Sequence, residues 1–474
     1  MNLNEIKKKL QPLKIINHKN INVTSICYNS QKCKENSLFV AIEGNNVDGN
    51  KYINDAIQNG AKVIVSAKLD INFVDKITYL LVQDTRLALA ELSHIFYNEP
   101  AKKLICIGIT GTNGKTTTAA LVKSVLETAN KKVGLIGTTG IFYGNKKIES
   151  THTTPESLEL AITMREMVDA NIEYLIMEVS SHSIVQQRIA GIPFKIAAFT
   201  NLTHEHLDFH KTIDNYANAK KILFDSLDKN SIAIVNNDDS WSNYMVKDCK
   251  GIVKKIGEKN NANYKISDIN IEIAGSKFNI NNDTINTKLT AYFNVQNVAL
   301  CYAICNELGI EKENIINGLS TSEGAIGRLQ SVVVRSGATA YIDYAHTPDA
   351  LEKALNSCKE LLTKGRLICV FGCGGDRDKT KRPIMGKIAE KNADIVIVTD
   401  DNPRTEDSQS IINDILKGME NNVKVIANRS EAIQYAVAIS NEDDIILVAG
   451  KGHENYQIIG TQKHHFSDLE ELIR

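Results

Sequence analysis

The sequence predicts an α/β protein of three domains, with boundaries near residues 100 and 330. Three observations carry that reading. Short apolar runs (Leu104–Ile109, Val133–Gly137, Tyr174–Val179, Ile196–Phe199) have the near-continuous hydrophobicity of strands buried on both faces of a parallel sheet. Helical periodicity follows several of them, as in Ala119, Val122 and Leu126. A length of 474 residues suits about three domains, and Pro100 with the lysine pair after it marks a linker. The expected layout is an N-terminal α/β domain over 1–100, a central domain over 101–330 and a C-terminal Rossmann-like α/β domain over 331–474. The central domain should carry a phosphate-loop parallel sheet and a small antiparallel sheet.

In the first domain, Ser37–Ile42 reads as a strand, Gly44–Gly49 as a polar turn, Ala56–Gly60 as a helix end and Val63–Val65 as a second strand. The residues alone assign no chemistry here.

The central domain opens on the most informative stretch. Leu104–Ile109 is a strand, Gly111-Thr112-Asn113-Gly114 a tight turn, and Lys115-Thr116-Thr117 the start of a helix. A strand, a glycine turn and a helix make a phosphate cradle, because helix-start amides and the helix dipole both face the anion. Lys115 would reach the β/γ-phosphates of ATP and Thr116 would face magnesium. The general phosphate-loop pattern wants glycine at 109, which is Ile109.

Thr153 and Thr154 precede Pro155, which disfavours helix and presents both hydroxyls on an extended segment. A polar turn accounts for them equally well. Glu178, near the end of its apolar run beside the phosphate loop, suits a magnesium ligand or a satisfied buried carboxylate. His204, His206 and His210 are close enough to suggest zinc, but HExxH spacing and a cysteine partner are missing. With nucleotide chemistry next door, a single histidine helping to hold magnesium is preferred, and His204 and His210 read as structural. Tyr216–Phe224 is a helix in which Lys220, by itself, reads as a solvated lysine. Ile269, Ile271 and Ile273, the turn Ala274-Gly275-Ser276, and Phe278 with Ile280 form an antiparallel hairpin, followed by a helix from Phe293 to Leu308.

In the third domain, strands are expected at Ala340–Asp343, Leu367–Phe371, Ile395–Thr399 and Ile445–Ala449. Gly372-Cys373-Gly374-Gly375 resembles a dinucleotide turn, but position 377 is arginine, which argues against NAD.

A net charge of −1 gives no support to a nucleic-acid or membrane-surface partner. Nine scattered cysteines without a CxxC pair point to a reducing compartment and no zinc site. The start, MNLNEIKKKL, lacks a signal-peptide core, and no apolar run reaches membrane length, so a soluble cytoplasmic enzyme is expected.

The segments GTNGKTT, TTP, MEVSSH, NLTHEHLD, YANAK, FNVQN, DYAHTPDAL, FGCGGDRDKTKRPIMG, DDNPRTE and GKGHE, in this order, resemble the Mur ligases of peptidoglycan synthesis over nearly the whole chain. The resemblance implies an ATP-dependent, amide-forming ligase acting on UDP-MurNAc-L-Ala-D-Glu and meso-diaminopimelate through an acyl phosphate, working as a monomer. It implies that Gly111 to Thr117, with Asn294, Arg328 and Asp343, hold ATP. Thr116, Glu178 and His206 would hold magnesium, joined by Lys220 after carbamylation with CO₂. Lys115, Glu178, His206 and Lys220 would form the catalytic set. Ser30, Asn45, Asn46, Val47, His152, Thr153, Thr154, Ser180, Gln186 and Arg188 would contact the UDP-muramoyl dipeptide. Arg377, Asp401, Asn402, Pro403, Arg404, Gly450 and Glu454 would seat diaminopimelate, whose distal carboxylate suits the planar guanidinium of Arg404. Relatives of the family have Asp-Ser-Arg where this chain has Asn29-Ser30-Gln31, so the charged neighbours of Ser30 are gone.

Three other readings are separable. A lysine-adding relative would lack the arginine at 404. A folylpolyglutamate synthase-like enzyme would not need the first 100 residues. A non-catalytic nucleotide-binding regulator would lose Glu178 or His206.

Overall fold

The apolar run after Pro100 becomes the strand Ile105–Thr110, the middle of a parallel sheet, in a computed structural model. The structure describes residues 1–44, 47–68, 72–150, 152–421 and 423–474. Residues 1–119 with 130–255 make one compact unit, and residues 120–129 with 256–474 make a second.

The first unit holds two sheets. In the N-terminal sheet the order is Lys14–Ile16, Thr78–Leu81, Ala61–Ser66, Ser37–Val40, Ser25–Cys27, parallel except for the first pair. Alternation along its strands feeds two cores: Leu38, Val40, Val63 and Val65 on one face, Phe39 and Ile64 on the other. Helix Thr85–Phe96, capped by the Asp84 carboxylate, covers the first face with Leu89 and Leu92.

In the other sheet the parallel order is Ile232–Asn236, Phe194–Phe199, Ile105–Thr110, Tyr174–Glu178, Val133–Gly137, with Gly140–Tyr143 and Lys146–Ile148 added antiparallel. Pairing of Glu178 with Ile109 and of Phe199 with Thr110 aligns three strand ends at one carboxyl edge. In open α/β sheets that edge is where ligands bind. Gly108 sits mid-strand because a Cβ there would lie 2.9 Å from the Phe194 ring.

In the second unit, Tyr264–Glu272, Gly275–Ile280 and Asp283–Thr287 form the antiparallel sheet, followed by helices Tyr292–Glu307 and Lys312–Thr321. A second parallel sheet runs Thr339–Asp343, Ile445–Ala449, Leu367–Phe371, Ile395–Val398, Lys424–Val425, with Gln330–Val333 antiparallel at its edge. Tyr341, Cys369, Phe371 and Leu447 pack one face; Ala340, Ile342, Ile368, Val370 and Ile446 pack the other. No helix among the described residues is long and apolar enough to cross a membrane.

Candidate active site

The phosphate loop is shaped by close contacts from neighbouring strand ends. Gly111 has φ +150°, and a Cβ there would collide with the Thr200 hydroxyl. Thr112 N donates to Asn201 O at 2.8 Å and Asn113 N to Asn201 Oδ1 at 3.0 Å. Thr200 Oγ1 donates to Asn113 O at 2.6 Å. Lys115 folds back over this loop, donating to Gly111 O at 2.8 Å and Thr112 O at 2.7 Å. The helix Lys115–Thr128 starts here, so the positive end of its dipole faces the loop, and Thr118 N donates to Gly114 O at 2.9 Å.

Glu178 is fully buried at the end of its strand. It accepts from Thr116 Oγ1 at 2.9 Å, Thr138 N at 3.0 Å and Thr138 Oγ1 at 3.1 Å. Carboxylate and hydroxyl oxygens side by side are the donor set of a hard cation such as magnesium. Thr138 also meets Thr153 Oγ1 at 3.2 Å. Thr154 Oγ1 donates to Glu178 O at 2.7 Å and receives Ser180 N at 3.2 Å, while Ser180 Oγ caps the helix Ser181–Val185.

Lys220 lies on the inward face of helix Ile213–Asp225 with Tyr216, Leu223 and Phe224. It is 1% exposed, donates to Gly111 O at 2.8 Å, and its Nζ lies 4.5 Å over the Tyr216 ring. Burial, reinforced by the Lys115 charge, holds its pKa well below the usual lysine value. The isolated reading of Lys220 as a solvated side chain is thereby corrected: helical spacing carries its stem into the core. Tyr216 OH closes the arrangement on Thr112 Oγ1 at 3.3 Å.

His206 adopts φ +55° and packs edge-on to His182, with ring centroids 4.9 Å apart. Burial lowers its pKa, and the charges of Lys115 and Lys220 push the same way against Glu205. His210, one of the two histidines expected to be structural, is buried against Ser181 Oγ at 2.9 Å and pushed down to about 4, chiefly by burial; the other, His204, is exposed. Among the described residues no three His, Cys, Asp or Glu side chains are grouped so as to hold a metal ion by themselves.

A cleft of ≈ 700 Å³ opens beside the N-terminal sheet, lined by Tyr28, Ser30, Gln31, Val47, Arg86 and Glu156 among others. Ser30 starts the 3-10 turn Ser30–Lys32, and its carbonyl accepts Asn59 Nδ2 at 3.1 Å. Arg86 Nη1 donates to Glu156 Oε2 at 3.3 Å, and Arg188 Nε lies 3.6 Å from the same oxygen. Arg188 also donates to Thr154 O at 2.8 Å and Gln186 Oε1 at 2.6 Å. His152 is exposed, and Asn45 and Asn46 lie outside the described residues.

In the second unit, Asn294 is buried in the first turn of its helix, donating to Thr290 O at 2.8 Å. Asp343 accepts Leu329 N at 2.7 Å and Ala345 N at 2.8 Å; burial raises its pKa against the pull of Arg328. The Arg328 guanidinium lies 4.8 Å over the Tyr344 ring.

Three loops at the carboxyl edge of the second parallel sheet converge around Arg404. Arg404 sits at φ +54°, its N donates to Ile458 O at 3.1 Å, and its Nη1 donates to Gly375 O at 2.8 Å. Asn402 donates to Glu454 Oε2 at 2.8 Å and accepts Lys451 Nζ at 3.0 Å and Ile458 N at 2.9 Å. Asp401 and Pro403 are buried beside it, and Gly450, at φ +121°, leaves room for the Asp401 carboxylate. Arg377 is exposed, with Nη1 on its neighbour's carbonyl at 3.0 Å.

The sequence reading missed Thr138, Asn201, Arg86 and Lys451. Thr138 follows a strand end next to the Glu178 strand, a placement the order of runs could have suggested. Lys451, fully buried between Asn402 and Glu454, gave no such signal.

Family models match three consecutive stretches: "Mur ligase family, catalytic domain" over 22–97, "Mur ligase middle domain" over 109–305, and "Mur ligase, glutamate ligase domain" over 327–452. A Clostridium botulinum protein named UDP-N-acetylmuramoyl-L-alanyl-D-glutamate–2,6-diaminopimelate ligase is 45% identical over 486 residues, covering 100% of both chains. A Clostridium tetani protein of the same name is 42% identical over 99% of this chain and 98% of its own. A solved structure described by that name superposes with a TM-score of 0.73 at 30% identity, covering 98% of this chain and 97% of that one. Phosphate loop, buried Lys220 and Arg404 loops thus sit in a chain that, by full-length similarity, belongs to the Mur ligase family.

Proposed function

We propose that this chain is an ATP-dependent ligase that joins meso-2,6-diaminopimelate to UDP-MurNAc-L-Ala-D-Glu in cytoplasmic peptidoglycan precursor synthesis. The names of its full-length relatives support the substrates. The observation that carries the reading is the pairing of chemistries: a phosphate cradle beside a buried lysine, and an arginine presented by converging loops.

Gly111 to Thr117 would hold the triphosphate, and Lys115 would leave the loop carbonyls for the phosphates. Transfer of the γ-phosphoryl group to the D-glutamyl carboxylate gives an acyl phosphate; the diaminopimelate amine attacks its carbonyl carbon, and phosphate leaves. Positioning and charge neutralisation supply most of the acceleration. Thr116, Glu178, His206 and Lys220 as a carbamate would hold magnesium, which when bound would neutralise charge on the phosphate oxygens. The carbamate needs an uncharged amine: Nζ attacks CO₂ and loses a proton. Burial supplies that amine. Asn294, Arg328 and Asp343 would serve the nucleotide.

The cleft at Ser30 would take the uridine end, with Val47, Asn45 and Asn46. Thr153, Thr154, His152, Ser180, Gln186 and Arg188 would take the muramoyl dipeptide. Arg377, Arg404 and the Asp401-Asn402-Pro403 loop with Gly450 and Glu454 would take diaminopimelate. Residues 1–100, 101–330 and 331–474 would thus serve as the uridine, ATP and amino-acid domains, in a monomer.

The test is phosphate release by the purified protein with ATP, magnesium, UDP-MurNAc-L-Ala-D-Glu and either diaminopimelate or lysine. Release with diaminopimelate at least about 100-fold faster than with lysine is expected, the scale of one charge-assisted carboxylate clamp. No release with diaminopimelate refutes the reading, and preference for lysine refutes the role of Arg404.

A further inference from the structure

Of the nine cysteines, two meet beside the cleft. Cys27 ends the strand Ser25–Cys27, and Cys33 caps the turn Ser30–Lys32. Their sulfurs are 2.8 Å apart, and both residues are buried, 4% and 7% exposed. Between them, Tyr28 to Gln31 line the cleft.

We propose that Cys27 and Cys33 form a reversible disulfide site whose closure stiffens the cleft wall at Ser30 and Gln31. A disulfide needs sulfurs ~2.0 Å apart, so closure asks for an approach of under about 1 Å. The turn is already set by Gln31 N to Asn29 Oδ1 at 2.9 Å, Cys33 N to Ser30 O at 3.2 Å, and Asn59 Nδ2 to Ser30 O at 3.1 Å, so little rearrangement is asked of it. Oxidation therefore staples the existing conformation instead of replacing it.

Among the buried cysteines the pair stands apart by its 2.8 Å sulfur contact. The hydrogen bond shared with Cys27 holds the Cys33 pKa below its ordinary value, whereas burial pushes Cys106, Cys369 and Cys373 up to about 12. A small oxidant of the peroxide class suffices. The Cys33 thiolate attacks one peroxide oxygen, the O–O bond breaks, and hydroxide leaves to be protonated. Cys27 sulfur then attacks the sulfenic sulfur, the S–S bond forms, and the oxygen leaves as water with the Cys27 proton. Two thiols lose two electrons in all, and one hydrogen peroxide becomes two waters. A dithiol reverses the step by exchange.

The effect on the cleft rests on its proposed role as the uridine seat; the cross-link does not. The full-length protein is treated with hydrogen peroxide, alkylated and peptide-mapped, and UDP is titrated calorimetrically into the reduced and oxidised forms. Expected is a Cys27–Cys33 linked peptide released by dithiothreitol. The thermal midpoint should rise by about 5 °C, from the constraint on the unfolded chain. UDP should bind about threefold or more tightly, from an ordered loop. Cys33→Ser and, separately, Cys27→Ala should abolish all three changes while the reduced proteins bind UDP as before. Unlinked, fully alkylated Cys27 and Cys33, or a sulfinic acid at either, overturns the proposal. A linked protein that binds UDP like the reduced one overturns the coupling. If the reduced protein binds no UDP, the cleft assignment and the coupling both fail, and the mapping still decides the cross-link.

Discussion

Replacing Lys220 with methionine should make the protein more stable and inactive at once. The native amine is 1% exposed, with one hydrogen bond to Gly111 O at 2.8 Å and the Tyr216 ring at 4.5 Å. Neither compensates a full buried charge, and the direction of its pKa says so. A lysine with a depressed folded pKa binds fewer protons folded than unfolded. Its cost is therefore complete below the folded value and is relieved as pH rises toward about 10.4, at about 1.4 kcal/mol per unit of depression. Methionine has similar volume and no charge, so at pH 7 Lys220→Met should gain about 1–3 kcal/mol, the range for replacing buried charge by packed hydrophobe. For a compact unit of this size that is a rise of about 2–6 °C in melting temperature. The assay is thermal unfolding in CO₂-depleted buffer from pH 7 to 10, where the difference should shrink as pH rises. Ligase activity should fall about 10²–10⁴-fold, because a group placed at the phosphate loop is gone. Acetate should partly restore activity in Lys220→Ala. A Lys220→Met protein that melts lower than the wild type at pH 7, or that keeps its activity, refutes the reasoning.

Arg404→Asn, which tolerates the left-handed backbone at φ +54°, should lower kcat/KM for diaminopimelate by roughly 100-fold in a phosphate-release assay. Glu178→Gln keeps the shape of the Thr116 and Thr138 contacts but removes the charge; kcat should drop about 10²–10³-fold, with a raised magnesium requirement. Glu406, held down to about 2 by the buried Arg382 guanidinium, lends stability present above its unfolded pKa near 4.5 and lost as pH falls toward 2. Glu406→Gln should lower the melting temperature at pH 7 by several degrees and flatten its fall over that acid window.

Periodicity and glycine placement made much of this molecule legible. The buried strands announced themselves as apolar runs, and the turn from Gly111 to Gly114 could only end in a helix start. Glu178 was readable because a lone carboxylate closed such a run. Lys220 was not, since whether a lysine points outward depends on what its helix packs against. Arg86 and Lys451 were invisible for the same reason: their partners Glu156 and Asn402 are distant in sequence. The division into two compact units, with residues 120–129, which take in the helix Lys115–Thr128 beyond its first turn, grouped apart from that turn, rests on long-range packing and leaves no local mark.

Gly108 carries a consequence for how such chains diverge. The ring of Phe194 occupies the volume a methyl group would need, 2.9 Å from that position. The constraint runs one way: a lineage that acquires alanine at 108 must shift or trim the Phe194 ring, whereas a smaller residue at 194 is compatible with glycine at 108. Paired substitution at these two positions, small gained against large lost, is the signature to seek across species.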